Sequence, residues 1–193
     1  MSDSYDRQAA WDLLCEYTKT DPLRKHGLAV EAAMRAYARK YGGDEEQWGI
    51  VGLLHDFDYE SHPNPEEHPV KGAEIMRGRG WPEEIIYAIL CHADYLELER
   101  KTPMDRAIYA VDELTGLIIA VALVRPNKSI HEVDVRAVRK KMKDKSFARA
   151  VNRDDIAKGA DQLGLDLDEH IGFVIDALKP VSNELGIAGP SPA

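Results

Sequence analysis

The sequence predicts an all-α fold, and three observations carry that prediction. Apolar residues recur at the 3.6-residue helical period through most of the chain, and strict strand-like alternation is nearly absent. Side chains that cap helix starts precede most of the periodic segments. Pro22, Pro69 and Pro82 stand at segment starts, and Gly42-Gly43 and the RGRG turn stand at segment ends.

The elements follow in order. Residues 6 to 19 predict a first helix with Trp11, Leu14, Cys15 and Thr18 on one stripe. Pro22 opens a second helix that runs to about Tyr41 and stops at Gly42-Gly43. Asp44 and Gln47 form a capping box for a third helix, ending near His55-Asp56. After the polar loop SHPNPEEH, Pro69 starts a helix with His68 at its N-cap, and the RGRG turn ends it. Pro82 starts the next, through His92, and Thr102-Pro103 with Asp105 caps a long segment from about 104 to 124. Ser129 with Glu132, Asn152 with Asp155, and Asp166 with Glu169 mark three further starts, for nine or ten helices in all.

With 193 residues, no internal repeat and no linker, the chain reads as one domain over residues 1–180 and a C-terminal tail, 181–193, whose end GIAGPSPA is frayed. A composition of 44% hydrophobic and 31% charged residues is globular rather than disordered. The net charge of -9 argues against a nucleic-acid or anionic-membrane binder, which needs a broad basic face. It leaves room for a small phosphorylated substrate, because bound metal ions reverse the local field. Cys15 and Cys91 are far apart and outside any C-x-x-C pattern, which fits a reducing compartment. The opening MSDSYDRQAA is too polar for a secretory signal, and LIIAVALV (117–124) is too short to span a bilayer. A soluble, cytoplasmic protein is the expectation.

The histidines carry the chemistry. His26 lies in register with Ala29, Val30, Ala33 and Tyr37, and His55 follows Val51 by one turn with Asp56 beside it. His92 closes the stripe Ile85, Ala88, Ile89, and Asp112 sits among Ile108, Val111, Thr115 and Ile119. Four helical segments thus bring a His or Asp to a buried face, and His68 adds a fifth contribution from a helix start. A buried carboxylate needs a partner. A metal ion supplies one, and imidazole with carboxylate is a first-row transition-metal ligand set.

The order H…HD…H…H…D on a helical scaffold resembles the HD-domain superfamily of metal-dependent phosphohydrolases, from about His26 to Thr115. GLLHDFDYE is similar to the family's central HD segment, EEHPVKGAEIM to its third-histidine helix, AILCHADY to its fourth, and MDRAIYAVDELTG to its terminal aspartate helix. The nearest likeness is to small HD hydrolases and to HD enzymes that hydrolyse dinucleoside polyphosphates. The resemblance implies a single-domain helical bundle of HD type with its metal-binding core over 22–124. It implies that His26, His55, Asp56 and Asp112 hold a first metal. It implies that His68 and His92 bind a second, with Asp56 bridging. The chain has HDFD where the HD-I-G variant differs, and no Gly-Tyr-Pro motif follows His92, which argues against cyclic-dinucleotide phosphodiesterase activity.

The implied reaction is hydrolysis of a phosphate ester or anhydride, of a nucleotide or small phosphorylated metabolite, with Asp56 at its centre. Two divalent ions are expected, iron or manganese before zinc, nickel or cobalt. Asp58 is a candidate proton donor to the leaving group, though a carboxylate near a helix end is an equal reading. Glu60 is a second acidic residue after the HD pair, without an assignable role. Lys71, Arg125 and Lys128 are candidate phosphate contacts. His62 reads as a surface histidine, VRKKMKDK (138–145) as a solvated helix face, and Asp166, Asp168 and His170 as a capped helix start. Two alternatives share the ligands: a di-iron oxygenase that breaks C–C or C–P bonds, and a non-catalytic nucleotide sensor.

Overall fold

A computed structural model describes residues 5–190. The first four residues, on which the leader-peptide expectation partly rests, and the last three of the tail lie outside the described residues. Among the described residues ten α-helices run in chain order: α1 (Arg7–Tyr17), α2 (Asp21–Tyr41), α3 (Glu45–Leu54), α4 (Val70–Gly78), α5 (Glu83–Leu90), α6 (Pro103–Leu123), α7 (Val135–Met142), α8 (Arg153–Gln162), α9 (Leu167–Leu178) and α10 (Ser182–Leu185). Among the described residues there is no strand, only an isolated bridge between Ser129 and Ala188. The all-α class stands. The chain divides into two compact units, Met1–Tyr109 and Ala110–Ala193, at a point inside α6.

In the first unit side-chain caps stand ahead of α1, α3 and α6. Asp6 accepts from Ala9 N at 2.9 Å ahead of α1. Asp44 accepts from Glu46 N and Gln47 N ahead of α3. The Gln47 side chain does not complete the predicted box; its amide donates to Glu84 instead. Thr102 and Asp105 make a reciprocal box for α6, with Thr102 Oγ1 accepting from Asp105 N and Asp105 Oδ2 from Thr102 N. Gly42 ends α2 at φ 70, the left-handed conformation that only a residue without Cβ adopts freely. The buried stripe of α1 is Ala10, Leu13 and Leu14; Trp11 and Cys15, expected on it, are half-buried.

The contact that positions the site is the crossing of α2 and α3. A Cβ on Gly52 would meet the Val30 carbonyl and Glu31 N at 2.8 Å, and one on Gly27 would meet the Leu53 carbonyl at 3.0 Å. Only glycine lets the two backbones approach this closely. The two helices pack on one another, with Val30, Ala33, Met34 and Tyr37 of α2 and Ile50, Val51 and Leu54 of α3 all buried. Buried Glu31 accepts from Arg7 (2.7 Å) and from Arg35 (3.0 Å), so its charge is neutralised twice.

In the second unit α9 packs on α7 and α8. Buried His170 donates from Nε2 to the Ala110 carbonyl at 2.9 Å and is a structural residue, as its helix-start context predicts. Ser129 and Glu132 start only a 3-10 turn, Ile130–Glu132; the cap of α7 is Asp134, which accepts from Ala137 N. The tail is not frayed over Gly186–Ala188. Ile187 is fully buried, its carbonyl accepts from Ile130 N at 2.7 Å, and Ser129 Oγ donates to the Ala188 carbonyl. One apolar side chain and these two hydrogen bonds outweigh the ordering entropy that polar tail composition predicts would win.

Candidate metal centre

Helix ends build this site. His55 is the residue at which α3 stops, and its Nδ1–H donates to the Gly52 carbonyl at 2.8 Å. His92 stands one residue past the cap of α5, and its Nδ1–H donates to the Ile89 carbonyl at 2.6 Å. In both, the backbone acceptor fixes the tautomer and leaves Nε2 with its lone pair. His68 precedes α4, whose N-cap is Pro69 rather than His68; its Nδ1–H donates to Asp58 Oδ1 at 2.8 Å. His26 projects from the first half of α2.

The Nε2 atoms converge in two pairs. His26 Nε2 and His55 Nε2 lie 3.2 Å apart, and His68 Nε2 and His92 Nε2 lie 3.1 Å apart. Asp56 stands between the pairs. Its Oδ2 lies 3.5 Å from His55 Nε2 and 3.7 Å from His26 Nε2. Its Oδ1 lies 3.2 Å from His68 Nε2 and 3.5 Å from His92 Nε2. Each carboxylate oxygen therefore faces one imidazole pair.

This donor set fits a metal. Two imidazole lone pairs at about 3.1 Å repel unless a proton or a cation lies between them. Donor atoms at right angles on bonds of about 2.1 Å stand about 3.0 Å apart, close to both observed separations. Within each of the two sets, His26–His55–Asp56 and Asp56–His68–His92, the donor atoms all lie within 4.8 Å of one another. Asp112 lies half-buried on α6, in the second unit.

The charges around His68 are concentrated. Burial pulls its imidazole pKa down, but the hydrogen bonds and charges of Asp56 and Asp58 outweigh that and push it up to about 9. Burial, then the charges of Asp56 and Asp58, raise the Tyr95 phenol. Burial also pushes the Cys91 thiol up to about 11, which fits an inert core cysteine.

Asp58 is placed otherwise than a proton donor requires. Its carboxylate is 0% exposed, with Oδ1 on His68 and Oδ2 accepting from Gly72 N at 2.8 Å. Glu60 is a cap: Oε2 accepts from Lys19 N, Thr20 N and Thr20 Oγ1 where α2 begins. Lys71 is exposed and paired with Glu74 at 2.7 Å. Arg125 and Lys128 belong to the second unit. Arg125 is half-buried, and Lys128 is exposed at φ 50 beside a shallow cleft with Asn127 and Gly189. His62 stands 3.6 Å from Glu67, half-buried in its loop. Two tyrosines escaped the sequence reading. Tyr59 packs edge-on against the His68 ring at 5.2 Å, and Tyr95 Oη donates to the His68 carbonyl at 2.5 Å. The signal available was two aromatics in polar turns, one and three residues after Asp58 and His92.

Comparison with known proteins agrees with this geometry. Residues 23–117 match the HD domain family, a span that contains all six predicted ligands. Ribonuclease Y of Desulfotalea psychrophila is 28% identical over 134 residues, 67% of this chain but 25% of the ribonuclease, so the chain spans only about a quarter of that relative. No solved structure matches the chain. The paired imidazoles about Asp56 and the family match fall on the same residues, and residues 23–117 are an HD domain, the domain of a family of metal-dependent phosphohydrolases.

Proposed function

We propose that this protein is a two-metal phosphohydrolase acting on a phosphate ester or anhydride of a nucleotide or small phosphorylated metabolite. The observation that carries this is Asp56, whose two oxygens each face a separate imidazole pair. His26, His55 and Asp56 would hold the first ion, and Asp56, His68 and His92 the second; the family resemblance assigns Asp112 to the first. Iron or manganese suits this nitrogen-rich set with a bridging carboxylate. When bound, the ions lower the pKa of a water to near neutrality and polarise the phosphoryl oxygens.

The chain's own contribution is orientation. The Gly52 and Ile89 carbonyls hold the His55 and His92 rings with Nε2 inward. Asp58 does the same for His68, and we assign it this positioning role in place of proton donation. The ribonuclease relative implies cleavage of a phosphodiester, but a chain of net charge -9 favours a small substrate over a long polyanion.

The test is phosphate release by manganese- and iron-loaded protein over nucleotides, dinucleoside polyphosphates and small phosphate esters, with metal content measured in the same samples. Release that tracks two bound ions per chain is expected. Oxygen consumption by the iron form with no phosphate release would replace this reading with the oxygenase one.

A further inference from the structure

Among the described residues, large apolar side chains are exposed at five positions, and two of them, Tyr59 (41%) and Tyr95 (51%), bracket His68. Exposed aromatic rings beside a buried ligand cluster lose free energy to water unless something covers them. Neither ring is loose. Tyr59 follows Asp58 directly and meets the His68 ring edge-on, with interplanar angle 86°. Tyr95 is held at its tip by the hydrogen bond from Oη to the His68 carbonyl.

The backbone that presents Tyr95 is fixed as well. The 3-10 turn Asp94–Leu96 closes at Glu97, a non-glycine residue at φ 52. Arg100 secures the turn from behind. Its Nε donates to the Cys91 carbonyl at 2.9 Å, its Nη2 donates to Asp94 at 3.1 Å, and its guanidinium lies 3.5 Å over the Tyr109 ring. A left-handed residue and a three-way arginine anchor hold a half-exposed ring at one orientation, three residues from His92. That is the construction of a pre-organised surface rather than of a core.

We propose that Tyr59 and Tyr95 form an aromatic platform that selects phosphate esters carrying a flat aromatic ring. The inference rests on the metal centre binding phosphate, as proposed above, and adds the class of group attached to it. A ring joined directly to the phosphate and a base one sugar away offer the same flat face, and both stack. Stacking on a protein aromatic is worth about 5–150-fold in affinity.

The experiment is isothermal titration of the full manganese-loaded chain with adenosine 5′-monophosphate, phenyl phosphate and ribose 5-phosphate, with phosphate release followed in the same samples. At least about tenfold tighter binding of one or both ringed compounds over ribose 5-phosphate is expected. Preference for the nucleotide alone places the ring beyond a ribose, and preference for phenyl phosphate places it directly on the ester. Tyr95→Leu should bring the ratio to within about twofold of one, Tyr95→Phe should keep most of it, and Tyr59→Leu should lower it independently. Equal affinities in the wild type, no binding of any of the three, or a ratio unmoved in both leucine variants overturns the platform. Ring-dependent, Tyr95-dependent binding without phosphate release leaves the platform standing and removes the hydrolase reading.

Discussion

Replacing Asp58 by Asn keeps the shape of a fully buried side chain and removes one acceptor from a place that uses two. The carboxylate accepts from His68 Nδ1–H and from Gly72 N–H, each at 2.8 Å. An amide has one oxygen. If it stays on Gly72, the NH2 group faces His68 Nδ1 and drives that ring to the tautomer with its proton on Nε2, the atom that must bind metal. If it stays on His68, the buried Gly72 N–H meets another donor. Either arrangement costs about 1–3 kcal/mol. Losing the outer partner of a metal-binding imidazole lowers metal affinity about 10–100-fold, which is about 1.4–2.7 kcal/mol. Titration of chelator-stripped protein with manganese should therefore show one ion weakened by that factor and the ion at His26 and His55 changed by less than about threefold. Unchanged affinity for both ions would refute the positioning role. Full metal content with turnover lost only on poor leaving groups would restore Asp58 as the proton donor.

His92→Ala should reduce the metal count from about two ions per chain to one, and Asp56→Ala should empty both sites; an unchanged count in the His92 variant would make the centre mononuclear. In the metal-free protein the His68 pKa of about 9 lies above the unfolded value near 6.5. Its proton therefore stabilises the fold fully below about pH 6.5, and that stabilisation is lost as pH rises through 9. Metal binding at Nε2 must expel the proton, so calorimetry at pH 7.5 in buffers of different ionisation heat should show about one proton released with the second ion. No release would mean that His68 is already neutral. Gly52→Ala places a Cβ 2.8 Å from the Val30 and Glu31 backbone, so α2 and α3 must separate by about half an ångström. Such overpacking destabilises by about 1–3 kcal/mol, read as a melting temperature several degrees lower; an unshifted melt would refute the close approach.

How much of this could be read from the chain alone differs from element to element. Helix starts at Asp44, Thr102, Asn152 and Asp166 were legible, because a side-chain cap acts within three residues of itself. Asp134 was missed because Ser129 and Glu132 offered a competing signal five residues earlier, and the structure uses that one for a single 3-10 turn. The candidate ligand histidines His26, His55 and His92 were legible because each sits on or at the end of an apolar helical stripe, where an imidazole needs a reason, and His68 because it stands at a helix start.

The sequence by itself determined the all-α class, the order of the candidate ligands and the presence of more candidate histidines than one metal requires. Only the tertiary structure decided the rest. The two faces of Asp56, the burial of Asp58 behind His68, and the tyrosines that flank it depend on contacts across 10 to 36 residues of chain, or on where a turn points a ring. The tail was decided the same way, because Ile187 finds its partner at Ile130, far beyond the reach of any local pattern. Periodicity and capping report the few residues around a position. A coordination geometry reports which helix ends meet, and that is set by how closely Gly27 and Gly52 let two backbones cross.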